Sequence, residues 1–336
     1  MTSAAPRPST EPDVTGLDAE AAGPGPADGR PRLSGAVWAA LAVVYVVWGS
    51  TYLAIRIVVE SMPSLLSGAV RFLVAGLLLL GLLVWRQGTG ALRVTRRQLG
   101  SAAVVGVLLL VGGNGLVVLA EGSIPSGLAA LLIAVVPLWV VVLRRLFGDR
   151  PGAGALVGVA LGMVGLVVLS APSISGGASI GGVLMLMGAS LSWSVGSFGS
   201  SRWPLPANPL AASAYEMLAG GLGCLLVALA RGEEHGLDLA TVSTRSWTAL
   251  AYLVVFGSLV AFTAYSWLLS AAPLSLVATY AYVNPVVAVL LGWLVLGERL
   301  TLSELLGGAI VVAAVCVVVS TSRRSRGPAP EGEQAG

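Results

Sequence analysis

The chain alternates between long apolar runs and short polar breaks. Ten apolar runs cover approximately 35–57, 64–85, 99–119, 125–143, 153–170, 180–199, 210–229, 247–269, 275–296 and 302–320. Most approach the roughly 20 residues that a helix needs to cross a bilayer core. A lone strand would leave backbone groups unpaired in lipid, so each run predicts a helix. Most breaks are short, which makes successive helices antiparallel neighbours. The longer breaks are 86–98, 171–179, 200–209 and 230–246, and the segment 171–179 separates five runs from five.

Composition fits this pattern. Hydrophobic residues make up 56% of the chain and charged residues 10%, against about 25% charged in a soluble domain. The expected class is an all-α polytopic membrane protein. Residues 1–34 are rich in Pro, Gly and Ala and contain no apolar core of a signal peptide, so they read as a disordered cytoplasmic tail. Residues 322–336 read as a second cytoplasmic tail.

All 19 basic residues are Arg. With the N-terminus in the cytoplasm, thirteen of them fall at the cytoplasmic ends of the spans. Only Arg231, Arg245 and Arg299 fall outside. The asymmetry predicts that both termini are cytoplasmic. Each half then holds an odd number of spans, and the second enters the membrane the opposite way up.

The two halves also resemble each other. Pro125 and Pro137 are twelve residues apart, and so are Pro273 and Pro285, in register at an offset of 148. At an offset of 145, SGAVRFLVAGL (67–77) lies over ASAYEMLAGGL (212–222), with Arg71 opposite Glu216. Gly148-Asp149-Arg150 is echoed by Gly297-Glu298-Arg299. These matches predict two inverted five-helix repeats, 35–170 and 180–321, around a central cavity. That is a common ground plan of secondary transporters.

The motifs themselves resemble a known family. Trp48-Gly49-Ser50-Thr51-Tyr52, Arg71-Phe72, Gly113-Asn114-Gly115, Ala120-Glu121, Pro125-Ser126-Gly127, Pro137, Tyr280-Ala281-Tyr282-Val283-Asn284-Pro285-Val286 and Gly297-Glu298 occur in the order of the EamA-type group of the drug/metabolite transporter superfamily. The overall pattern is most similar to the YedA-type inner-membrane exporters within it. The resemblance covers about 35–320. It implies ten helices, a cavity lined by the first four helices of each repeat, and export of a small amphiphilic metabolite, amino acid or drug-like solute by alternating access. Ser192-Trp193-Ser194-Val195-Gly196-Ser197 echoes the first-span motif only loosely, which leaves the sixth span's share of the cavity open.

Charges inside spans are the first candidates for chemistry, because each costs at least about 2.5–3.5 kcal/mol near the bilayer centre unless partnered or hydrated. Arg71 is a candidate for binding an anionic substrate group. Glu216 is a candidate for binding an amine or a proton. The competing reading pairs them with each other or with backbone carbonyls. Arg56 suits snorkelling to the interface. Glu121 is either a gate residue or a solvated loop residue.

Trp48, Asn114, Tyr265, Trp267, Tyr280, Tyr282 and Asn284 form a polar and aromatic set that suits a cavity wall. Interfacial anchoring is the alternative for the tryptophans. Pro137 and Pro285 are expected to kink their helices and free carbonyls near 133 and 281. Gly154, Gly158 and Gly162 mark close helix approach, within the scaffold or between subunits of a homodimer.

Other functions find little footing. The spans contain no His, Asp pair, metal-ligand cluster or nucleophile with a visible base, so catalysis has no support. No cofactor site, P-loop or nucleic-acid motif stands out. A receptor or structural membrane protein is the remaining alternative. The expected partners are a small solute and the lipid bilayer, with protons as a candidate coupling ion. Neither substrate nor energy source follows from the sequence.

Overall fold

In a computed structural model, residues 34–120, 132–149, 152–170, 179–296 and 301–324 are described. Among them every long element is a helix: α1 Gly35–Val59, α2 Ser64–Gln87, α3 Arg96–Ala120, α4 Val136–Leu146, α5 Ala153–Ser170, α6 Ile180–Ser200, α7 Pro209–Ala230, α8 Thr244–Ala271, α9 Leu274–Val277, α10 Tyr280–Leu296 and α11 Leu302–Arg324. Six of these, α1, α2, α3, α6, α7 and α8, are long and apolar enough to cross a membrane. Shorter apolar stretches occupy Ala153–Val168, Leu274–Val287 and Leu305–Val318.

Helix starts follow ordinary capping chemistry. Ser34, Thr95, Ser179, Asn208 and Ser243 each accept a backbone N–H from the first turn of the helix that follows. α2 lacks such a cap of its own. Glu233, from the segment after α7, takes its place: Oε2 accepts the Leu65 and Leu66 N–H groups at 2.9 and 3.0 Å. At the other end of α2, Gln87 accepts from the Asn208 amide at 2.9 Å, and Tyr215 donates to the Leu92 carbonyl at 2.8 Å. The α2–α7 pair is therefore antiparallel and tied at both ends.

Its packing is reciprocal. A Cβ on Gly76 would come within 2.9 Å of Leu218, and one on Gly221 within 2.9 Å of Leu73. Gly76 and Gly221 are 145 residues apart, as are Leu73 and Leu218. In lipid the hydrophobic effect does not press helices together, so close approach at small residues carries the association. α5 and α11 form the second intimate pair, where Gly158 faces Val318 and Gly165 faces Ile310 and Val311. The apolar residues left exposed, such as Leu77, Leu78, Leu222 and Leu226, face outward, where a soluble protein would place polar groups.

Two long helices loosen midway. α3 runs as a π-helix over Val107–Gly115, and α8 does so over Leu253–Val260. Such widened turns often accompany functional sites.

The prolines sit differently from each other. The chain turns at Ala134 and Val135 and restarts as α4, so Pro137 lies in a first helical turn, where its missing N–H costs little. This is not the mid-helix bend expected of it. Pro285 does lie inside a helix, α10. The break there comes earlier, at Ala278 and Thr279, where Thr279 donates to the Leu276 carbonyl and shares a 2.5 Å hydrogen bond with Tyr45 of α1. Glu121 and Pro125 lie outside the described residues, as do Arg150, Gly297, Glu298 and Arg299.

Candidate functional site

A pocket enclosing about 680 Å³ of empty space, adjoining solvent included, lies between α1, α2, α3, α4, α6, α8 and α10. Its wall includes Trp48, Arg71, Asn114, Trp193, Tyr280 and Asn284. The lining lies mid-helix and toward the end of the molecule that holds Glu233, reaching Ile55 near the end of α1 and Val117 near the end of α3.

The floor is aromatic. Trp48, Trp193, Tyr265 and Tyr280 come from α1, α6, α8 and α10 and meet in one cluster. The Trp48 ring lies 5.4 Å from Trp193, 4.8 Å from Tyr265 and 5.1 Å from Tyr280. Two of these contacts are edge-on, the arrangement that ring quadrupoles favour. Polar tips are held within the cluster. Trp193 Nε1 donates to the Tyr265 hydroxyl at 2.9 Å, and Ser197 Oγ meets the same hydroxyl at 2.6 Å. Trp48 Nε1 donates to the Gly257 carbonyl at 3.2 Å, inside the widened stretch of α8.

Arg71 supplies the charge. It is 5% exposed, and its Nε donates to Ser258 Oγ at 2.9 Å. Among the described residues it forms no ion pair. Its guanidinium passes directly over Gly257, where a Cβ would sit 2.9 Å from Nη2 and 3.3 Å from Thr51. Glycine at 257 therefore lets the arginine reach the cavity while its Nη groups keep free donors.

Two uncharged amides complete the polar equipment. Asn114 sits in the π-helical part of α3 and bonds to none of the described residues. Asn284 is buried with Oδ1 unpartnered. Tyr280 and Asn284, four apart, share the face of α10 turned to the cavity.

The structure thus brings Trp48, Arg71, Asn114, Tyr280 and Asn284 together in one wall, with Tyr265 beneath them. Glu216 is not among them. It is fully buried on the far side of the aromatic floor, where Oε2 accepts from Ser266 Oγ at 2.9 Å. Tyr282 also turns away, packing its ring against Gly162 of α5. Arg56 is exposed.

Trp193, Ser190, Gly257 and Ser258 belong to the site although none stood out by motif. One signal did exist for Trp193. It lies 145 residues after Trp48, the spacing that relates Arg71 to Glu216.

An aromatic and amide-lined cavity holding Arg71, which has no ion-pair partner among the described residues, enclosed by apolar helices, is equipment suited to a membrane transporter. Comparison with known proteins agrees. The EamA-like transporter family model matches residues 33–171 and again 180–320. The chain belongs to this family.

It is 42% identical over 283 residues to the uncharacterized inner membrane transporter YedA of Escherichia coli, covering 84% of this chain and 90% of that protein. It is 25% identical to the uncharacterized transporter YvbV of Bacillus subtilis, over 86% of this chain and 93% of that one. A WAT1-related chloroplastic protein of Arabidopsis thaliana is 26% identical over 84% of this chain and 69% of its own length. One solved crystal structure shares the fold with a TM-score of 0.72 at 21% identity, covering 87% of this chain and 99% of that chain.

Proposed function

We propose that this protein exports a small amphiphilic solute bearing a carboxylate, such as an amino acid or an aromatic metabolite, across the cell membrane by alternating access. One observation carries the reading. Arg71 reaches a cavity with an aromatic floor and has no acidic partner among the described residues. A free guanidinium presents a planar fork that matches a carboxylate, and the rings below match an apolar body. Asn114 and Asn284 offer hydrogen bonds that orient the rest of the solute.

The accompanying architecture is ten transmembrane helices in two inverted repeats, 35–170 and 180–321, with both termini cytoplasmic. Three observations support it. The family model matches the chain twice. The arginine distribution favours that orientation. The reciprocal contacts of Gly76 with Leu218 and Gly221 with Leu73 are what a two-fold relation between halves produces. In this orientation the Glu233 end is external and the cavity faces outward.

Ion pairs and ring contacts tie the helix ends together at the opposite end. Asp149 accepts from Arg144 at 3.4 Å and from Arg202 at 2.5 Å. The Phe147 and Phe198 rings meet at 5.1 Å just above. An outward-facing cavity over a closed cytoplasmic end is one of the two states that alternating access requires.

Counterflow in proteoliposomes tests the function. Unlabelled carboxylate solute inside should drive transient uptake of labelled solute from outside. Uptake equal to that of protein-free vesicles, across a panel of amphiphilic carboxylates, would contradict the reading.

A further inference from the structure

Glu216 is the one carboxylate among the described residues that is fully buried, and the cavity does not use it. It lies seven residues into α7, as Arg71 lies seven residues into α2, and α2 and α7 run antiparallel. The two groups are therefore at mirrored depths. Arg71 lines the cavity, and Glu216 is fully buried outside it.

The surroundings of Glu216 are polar but incompletely paired. Oε2 accepts from Ser266, while Oε1 has no hydrogen-bond partner. One turn away on α7, the Ser213 hydroxyl is buried and also unpartnered. One turn from Ser266 on α8, so is the Thr263 hydroxyl. Glu216 and Ser266 thus each have a further buried, unpartnered hydroxyl one turn away on their own helix.

The elements packed around Glu216 present polar groups but, among the described residues, no compensating charge. α8 presents Ser266 and the Tyr265 phenol, whose hydroxyl is held by Ser197 and Trp193. α3 presents Gly106, which abuts the Glu216 backbone carbonyl. On α2, Arg71 turns to Ser258 instead. On α7 itself, Cys224 donates toward the Leu110 carbonyl and Tyr215 toward Leu92. No described cation faces the carboxyl. An ionised, unpaired carboxylate in a dry interior is far costlier than a neutral one, and an inward-facing carboxyl in a membrane is commonly a proton-relay group.

We infer that Glu216 is a proton-binding site, loaded in this conformation and emptied when the half of the transporter around it opens to water. The inference rests on the alternating-access reading proposed above. Opening hydrates the carboxyl and lets it ionise, and closing the half again requires that a proton be taken up first. Arg71 and Glu216 then have separate roles. One holds the solute in the open half. The other links closure of the opposite half to proton uptake.

Infrared difference spectroscopy on full-length protein in lipid nanodiscs tests the site without any solute. Wild type minus Glu216→Gln at neutral pH should show the carbonyl band of a protonated carboxylic acid. That band should shift in heavy water and disappear as pH rises. Carbodiimide, which attacks protonated carboxyls in apolar surroundings, should label Glu216 at a rate that falls at least tenfold over the same pH range. Glu216→Asp should keep a titrating band at an altered pH.

A carboxylate band in place of the acid band at neutral pH would overturn the inference. Labelling that sodium suppresses and pH does not would also overturn it, by assigning the site to a metal cation. Failure of counterflow with an intact acid band would count against the transport reading and leave the proton site standing.

Discussion

Replacing Arg71 with Gln is the sharpest perturbation of the cavity. The side chain uses one donor, Nε, on Ser258. Its Nη groups remain for the solute. A hydrogen bond to a charged group contributes about 1.5–3 kcal/mol, so a two-pronged contact with a carboxylate is worth about 3–6 kcal/mol. Because the cavity is partly open to water, the lower bound of about 3 kcal/mol is the better guide. At about 1.4 kcal/mol per tenfold change, Kd should rise roughly a hundredfold.

Arg71→Lys keeps the charge without the fork, and its loss should fall between wild type and the Gln variant. Trp48 and Trp193 line the cavity, so quenching of tryptophan fluorescence reports binding directly. Stability should move the other way. An unpaired charge in a span costs at least about 2.5–3.5 kcal/mol, more than the one bond to Ser258 returns. Arg71→Gln should therefore keep or raise the thermal midpoint. A variant that binds carboxylates as wild type does, yet melts earlier, would refute the binding role and make Arg71 a structural residue.

Other outcomes follow from the same geometry. Gly257→Ala places a methyl group against the Arg71 guanidinium, so solute affinity should fall at least tenfold while the protein still inserts and folds, as binding and size-exclusion measurements would show. Trp193→Ala removes both a wall of the cavity and the donor to Tyr265. Truncating a fully buried aromatic costs about 3–5 kcal/mol; Trp193 is half-buried, so the melting temperature should drop by less than this while affinity falls, whereas Trp193→Phe should recover most of the stability.

Asp149 bears on the closed end. Desolvation is the largest single influence and pushes its carboxyl up, but the Arg202 and Arg144 guanidiniums together outweigh it and hold the carboxyl below the usual carboxylate range. A group with a depressed folded-state value stabilises above its unfolded pKa and loses that contribution as pH falls through the folded one. The latch should therefore persist at neutral pH and weaken only in acid. Asp149→Asn should speed hydrogen exchange at the ends of α4 and α6 even at neutral pH; unchanged exchange would show that the ion pairs do not close that end.

Much of the helix plan was legible in the chain because lipid imposes long uninterrupted apolar runs. The expected spans 35–57, 64–85 and 210–229 fall within a few residues of Gly35–Val59, Ser64–Gln87 and Pro209–Ala230. Five of the expected site residues also meet in the cavity wall, because a costly polar group inside a span needs a reason to be there.

What the chain hid was direction around each helix. Sequence gives the depth of Arg71 and Glu216 but not which faces they occupy, so two groups matched in the repeat seemed suited to one site. Arg71 instead lines the cavity while Glu216 is buried apart from it. Ser258 and Gly257 were unreadable for a related reason. Their role depends on a widened turn in α8 that no residue pattern announces. The weak motif around Trp193 left the sixth span's share of the cavity open, although Trp193 stands from Trp48 at the spacing that relates the two halves. Pro137 differs from its expected mid-helix place while Pro285 does not, because a proline two residues into a helix and one in its middle look alike in a string of apolar residues.

Counterflow with wild type and Arg71→Gln side by side tests the central claim most directly. Wild-type proteoliposomes loaded with an unlabelled aromatic carboxylate should accumulate the labelled solute transiently, and those with Arg71→Gln should not, while the amide analogue of the solute should be a poor substrate for wild type. Equal accumulation by both proteins, or none by the folded wild type with any amphiphilic carboxylate, would contradict the account.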